Sequence, residues 1–448
     1  MKPDLVVKNA KIVNSLGTYE GHVLIRDGKV LAVTSDLDGE PDSVIDAEGR
    51  CVLPGMVDDH VHMMDPGHTE REDFTTGTKA SARGGATTVI EHHRTLPPVF
   101  TADLLREKSA YLKDKSVVDF AQLGGLAPDN LDQLRPMWEA GALGFKGFLV
   151  ELHGAPMLSE GVLLNIMREV GSFGGTCLYH CESDSICRLE EEKIGRDGRT
   201  DYRSMLDGRS MEAEYMASMD LINLAELTGC QSTIAHVSQP RILEAIQAAR
   251  RRDVPIYAES CPHYFYLTEE EGEKRGPWAK FTPPPRPEAV RDGMREALGK
   301  GWVDIIATDH CPHVKSDKEN GLDNIHKAPF GIPGIDTTSR LMLNAVNEGW
   351  LTLERLVRLM CEQPAKLYNI FPKKGTLQPG SDADLLIVDM DRKEKLTNDG
   401  VVSKCGWTTF DGMETAGAPT LTMVRGNVVM KDGQVMGEAG IGVEVTRV

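Results

Sequence analysis

Positive charge is what this chain has least of for its size: 68 acidic residues stand against 50 basic ones, a formal net charge of −18. That balance argues against a general nucleic-acid or anionic-membrane surface, which needs clustered lysine and arginine. No nucleic-acid and no membrane partner is expected. Paired cysteines are also missing. The nine cysteines are odd in number and scattered, and no two have C-x-x-C spacing. A reduced, cytoplasmic protein is expected, not a disulfide scaffold. Cys177 and Cys181 flank His180 closely, but zinc-binding cysteines come in tighter pairs. The opening MKPDLVVKNAKIVNS has no signal-peptide apolar core, and no apolar run approaches a membrane span. Neither a G-x-G-x-x-G turn nor a phosphate-loop lysine motif is present.

What is present is enough chain for a large core. With 448 residues, 40% of them hydrophobic, one big domain and an appendage are expected. The first fifty or so residues read as short strands and turns, with RDGK as a hairpin signal. The last seventy or so repeat the style, and VKNAKIV near one end resembles VRGNVVM near the other. Residues 1–53 and 375–448 are therefore expected to meet in a discontinuous β-sandwich. Between them, over 54–374, eight short apolar stretches alternate with helical ones. The strand candidates are GMVDDHVH, ATTVIEHH, VVDFAQLGG, LGFKGFLV, TCLYHC, STIAHVS, VPIYAES and VDIIATDH. Helices are expected at EDFTTGTKASARG, EAEYMASMDLINLAELTG and PRILEAIQAARRRD. Eight β–α alternations predict an α/β fold of the (β/α)8 TIM-barrel type. A doubly wound open sheet is the structural rival, without a motif to support it.

The strand ends carry the chemistry. His60 and His62 are two apart and share one face of the first strand. The fifth strand ends at His180, the sixth at His236 and the eighth at Asp309. In a barrel these ends converge on one mouth. A lone strand histidine is usually a core residue; five strands with ligand-type side chains at one mouth, the fourth contributing Lys146, point to a metal site. Four histidines and an aspartate can hold two divalent ions, His60 and His62 on one, His180 and His236 on the other. Lys146 sits inside GALGFKGFLV, where an unpartnered ammonium is costly. Burial lowers a lysine pKa and exposes the neutral amine. That amine can take up CO2 as a carbamate, an anion able to bridge two cations. The bland alternative is a lysine that snorkels its charge to the mouth. His22, His68, His153 and His326 lie away from the strand ends and are read as loop or surface residues.

PGMVDDHVHMMDPG, GFKGFL, HCESDS, AHVS, ESCPHYFYLT, TPPPR, ATDHCPH, APFGIPGIDT and KKGTLQPGSDADLLIVD together resemble the cyclic amidohydrolases of the amidohydrolase superfamily, over nearly the whole chain. The relatives are dihydroorotases, allantoinases and hydantoinases, with dihydroorotase closest in phrasing. The resemblance implies a barrel with a flanking β-sandwich and a carboxylated lysine bridging two zinc ions, held by His60, His62, Lys146, His180, His236 and Asp309. It also implies a small cyclic amide or ureide as substrate, and a homodimer or homotetramer. Substrate contacts depart from the dihydroorotase pattern. Met64 stands where an arginine usually grips the substrate carboxylate, and Arg94 where an asparagine stands. His313 keeps the third position. Allantoinases usually carry Asn at the Met64 slot; hydantoinases usually have a tyrosine shortly after the lysine, where this chain has Glu151.

The mechanism expected is hydrolysis of a ring amide. The ions activate water, and Asp309 takes its proton and returns it to the leaving ring nitrogen. Allantoinase and hydantoinase or dihydropyrimidinase activities are the alternatives within the group. A mononuclear deaminase on the same barrel is disfavoured by Lys146 and by HVSQ after the sixth strand. A silent, binding relative is disfavoured because all six ligand positions are filled.

Overall fold

The computed structural model describes residues 2–37, 41–152 and 154–448; His153, one of the histidines set aside above, lies outside the described residues. Eight parallel strands form the central barrel: β1 (Met56–Val61), β2 (Ala86–Glu91), β3 (Asp119–Gly125), β4 (Gly144–Phe148), β5 (Thr176–His180), β6 (Gln231–Ile234), β7 (Ile256–Ser260) and β8 (Ile305–Ile306). Each coincides with one of the eight stretches expected from sequence, β6 starting one residue earlier than STIAHVS. β1 through β5 are buried at every position, as parallel strands covered on both faces must be. Past the end of β8, the His62 amide donates to the His310 carbonyl (2.8 Å), joining the last strand's continuation to β1. Helices cover the outside. Phe74–Gly84 starts from a capping box between Asp73 and Thr76 and stops at Gly85, whose φ of 91° ends the helix left-handed. Met211–Thr228 and Pro240–Arg250 occupy the other two helical stretches. Among the described residues no helix is long and apolar enough to cross a membrane.

Both chain ends enter one second sheet of nine strands. Its seam is Cys51–Pro54, parallel to Leu5–Asn14 on one side and antiparallel to Leu385–Lys395 on the other. Val7, Ile12, Val23 and Val52 from the N-terminal part share one apolar core with Leu385, Ile387 and Met423 from the C-terminal part. This is the β-sandwich beside the barrel. The RDGK hairpin turns through Asp27 (φ 51°) and Gly28 (φ 74°), the positive-φ pair that an Asp-Gly turn provides. A buried ionic joint sits where the sheets approach. Lys374 Nζ pairs with Asp119 of β3, with Asp384 (2.7 Å) and with Asp382 (2.9 Å). The C-terminal tail then returns to the barrel, where the Val445 amide donates to the Phe120 carbonyl (2.7 Å).

Candidate active site

The C-terminal strand ends bring the expected side chains to one pocket of about 370 Å³. His60, His62, Lys146, His180, His236 and Asp309 all line it, and so does Arg94. Buried carboxylates set the orientation of two imidazoles. His60 donates from Nδ1 to Glu259 Oε1 of β7 (2.7 Å), which turns its bare Nε2 toward Lys146 Nζ (3.3 Å) and Asp309 Oδ1 (3.1 Å). His180 donates from Nε2 to Glu182 Oε2 (2.6 Å), which leaves Nδ1 facing His236 Nε2 at 3.0 Å. His62 Nε2 lies 3.6 Å from the same Asp309 oxygen. A carboxylate behind the ring, fixing which nitrogen is free, is the usual support of a metal-binding histidine.

Two of these residues hold backbone that side chains rarely adopt. His236 has φ 39° and Asp309 φ 46°, each just past its barrel strand. Such conformations cost about 1–3 kcal/mol apiece and persist where the fold over-determines them. Here the Glu259 carboxylate accepts the His236 amide (3.1 Å), so the oxygen that orients His60 also holds the strained turn.

Burial dominates the electrostatics. It drives His60, His62 and His236 well below the ordinary histidine range, and lowers His180 against the pull of Glu182. It lowers Lys146 too, opposed by Glu259 and Asp309. Asp309 is pushed up to about 7 by burial, against Lys146 and Arg94. Burial also pushes Glu182 up, but Arg209 and His180 outweigh it and hold it at about 2. The four imidazoles are thus uncharged donors at neutral pH. His62 Nδ1 and His236 Nδ1 are buried and have no hydrogen-bond partner among the described residues. Donor atoms of His60, His236 and Asp309 lie within 4.8 Å of one another. Uncharged imidazoles facing each other, an amine against an imidazole and one carboxylate fit divalent cations of the borderline type.

The substrate-contact expectations divide. Arg94 lines the pocket, its Cζ 5.9 Å from the Phe148 ring centroid, with no hydrogen bond from its guanidinium among the described residues. Met64 is 2% exposed with φ 58° and stands outside the lining. His313 is also outside it; its ring lies 3.0 Å from the Phe330 carbonyl and 2.8 Å from Arg71 Nη2. Glu151 is exposed and paired with Arg188 (2.8 Å), and among the described residues no tyrosine lines the pocket. Phe148, Leu152, Phe281 and Phe330 make apolar walls, and Thr282, Cys311 and Gly331 complete the lining. His22 is half-buried in a terminal-sheet strand, and His68 and His326 are exposed. Cys177 and Cys181 are buried thiols away from the pocket. Sequence reasoning missed Glu182, Glu259 and His92. A carboxylate two residues past His180, the one in AES and the histidine pair ending ATTVIEHH were the available signals.

Comparison with known proteins gives a consistent set. The model of the Amidohydrolase family matches residues 51–429. A protein named L-hydantoinase from Paenarthrobacter aurescens is 39% identical over 99% of this chain and 98% of its own length. An allantoinase from Bacillus velezensis is 34% identical over 97% of this chain and 95% of its own. Among solved structures, an L-hydantoinase (dihydropyrimidinase) from Arthrobacter aurescens superposes with a TM-score of 0.97 at 39% identity, covering 99% of this chain and all of that one. A dihydropyrimidinase from Brevibacillus agri gives 0.94 at 28% identity, covering all of this chain and 99% of that one.

Proposed function

The chain belongs to the amidohydrolase family, and on that premise we propose how this cyclic amidohydrolase opens its ring. The reaction is hydrolysis of the C–N amide bond of a small cyclic amide or ureide. One observation carries the reading: a buried lysine, four neutral imidazoles and an aspartate line a single pocket at the mouth of the barrel.

His60 and His62 would hold one divalent cation, His180 and His236 a second, with Asp309 on the His60 side. Zinc suits this donor set. Lys146 would bridge the pair as a carbamate. Uptake of CO2 would form an N–C bond as one C=O π bond opens, with a proton lost from the amine to water, and would give an anion with two oxygens to offset two cations. When bound, the ions supply Lewis acidity that polarises a carbonyl and lowers the pKa of water.

The chain's own groups do the rest. Asp309 accepts the proton of the attacking water and delivers it to the departing ring nitrogen. Phe148, Leu152, Phe281 and Phe330 shape the walls around a flat ring and exclude solvent. Arg94 presents a guanidinium without a protein acceptor, suited to a substrate carboxylate or ring carbonyl. Met64 and His313 would act from behind, Met64 by shaping the turn after β1 and His313 by accepting from Arg71. We assign residues 1–53 and 375–448 to the sandwich domain and 54–374 to the barrel. Nine unpaired, buried thiols support a reducing, cytoplasmic compartment. A homodimer or homotetramer rests on the family resemblance, and sedimentation tests it.

The experiment is a substrate panel on metal-quantified protein: hydantoins, dihydropyrimidines, allantoin, dihydroorotate and cyclic imides. Turnover of at least one ring with two ions per chain is expected. A fully metal-loaded protein that opens none of them overturns the reading.

A further inference from the structure

We infer that His92 is a third imidazole ligand of the cation faced by His60 and His62, a role that rests on the metal-site reading above. His92 is the residue just past β2, fully buried and outside the pocket lining, behind the His60 and His62 rings it touches. Its backbone is fixed from two sides. Its amide donates to the Val61 carbonyl (3.1 Å), and its carbonyl accepts from the buried Lys108 Nζ (2.8 Å). Lys108 also pairs with Glu91 (3.4 Å), whose other oxygen accepts the Met63 amide (3.0 Å). The ring that leaves this anchored point stacks on His60 (4.3 Å between centroids) and meets His62 edge-on (4.7 Å). One nitrogen from each of the three rings lies within 4.8 Å of the other two.

The tautomer follows from one contact. His92 Nε2 is 3.1 Å from the Asp59 backbone carbonyl. A carbonyl oxygen only accepts, so the proton is on Nε2 and Nδ1 carries a bare lone pair. That Nδ1 is buried and has no hydrogen-bond partner among the described residues. One nitrogen given to a backbone carbonyl and the other left free and shielded is the arrangement of an imidazole that binds metal. As mere filling, a phenylalanine or methionine would occupy the space without an orphaned acceptor. His93, next in the chain, gives the contrast: its Nδ1 is orphaned too, but its ring packs on Phe100 (5.4 Å) and Phe148 (6.1 Å) and not on the His60 or His62 ring. The consequence is two unlike cation positions, the His60 side richer in nitrogen by one ligand.

The test uses Co2+ as the probe on the purified full chain. Chelator competition gives the dissociation constant of each ion, the visible spectrum reports ligand geometry, and X-ray absorption counts imidazoles per ion. His92→Phe keeps the ring volume, His92→Asn removes most of it, and His93→Phe is the control; circular dichroism establishes that each is folded. In both His92 variants the tighter dissociation constant should weaken at least tenfold, with an altered spectrum and fewer imidazoles per ion. His93→Phe should leave all three readouts unchanged. Native affinities and a native spectrum in His92→Phe would overturn the assignment while leaving the two-ion reading intact. A native protein that binds no Co2+ would overturn both.

Discussion

Lys146 and Lys374 are equally buried, each 1% exposed, yet they occupy opposite electrostatic situations. Lys374 sits among three carboxylates, at 2.7 Å from Asp384, 2.9 Å from Asp382 and paired with Asp119, which also accepts from Arg425 (3.0 Å). Those carboxylates raise its pKa despite burial. Lys146 has no ion pair among the described residues; its near neighbour is an imidazole nitrogen, and burial lowers its pKa. Asp119, Asp382 and Asp384 also come close enough together to resemble a cation site, but an ammonium already occupies their centre. Lys108, with Glu91 and a carbonyl, and Lys318, with carbonyls of Lys280, Pro329 and Gly331, are likewise satisfied. A buried lysine whose ammonium hydrogens meet carboxylate or carbonyl acceptors is a joint of the fold. One without them is available for chemistry.

Substitution separates the two. Lys146→Met should abolish turnover and bound metal, leave the metal-free fold as stable as before, and respond to short carboxylic acids with partial recovery of both; metal analysis and rates with and without acetate or propionate check this. Asp309→Asn should keep metal but slow turnover by about 10²–10⁴-fold, the range for a lost general base; a variant turning over normally would place the base elsewhere. Lys374→Met should do the converse of the Lys146 change. It removes the cation at the centre of three buried carboxylates, leaving Asp384 without an ion pair while Asp119 keeps Arg425 and Asp382 keeps Lys29, and should cost about 3–5 kcal/mol of stability, read as a fall in Tm, with metal content per folded chain unchanged. The smallest effect is expected at Glu182. Its pKa is depressed in the folded state to about 2, so the unfolded chain binds more protons between there and the ordinary carboxylate range. Its contribution is therefore full above about pH 4.5 and is lost as pH falls toward 2. Glu182→Gln should lower stability at neutral pH and flatten that acid limb, as denaturant titrations at several pH values would record.

The barrel was legible because its strands are short continuous apolar runs whose last residues break the pattern with His, Lys or Asp. GFKGF announced Lys146 by the cost of an ammonium there, and DDHVH announced His60 and His62 by period two. The shared phrase at the two ends foretold one common sheet. Less legible was whatever depends on which side chains meet across the barrel. Glu259 lies 199 positions from His60, and no local period links them. His92 was visible as a strand-end histidine, but only the ring stacking and the Asp59 carbonyl set its tautomer. Met64 carried a motif position rather than a pocket position, because a positive φ turns its backbone at the end of β1. The tail that bridges Glu444 to Phe120 is a single isolated pairing, too short to leave a pattern.

The most direct measurement is carbon-13 NMR of the metal-loaded enzyme equilibrated with labelled bicarbonate. One protein-bound carbamate carbon per chain is expected, absent from Lys146→Met and released when the ions are chelated. Two tightly bound ions with no labelled carbon on the protein would contradict the bridging role of Lys146.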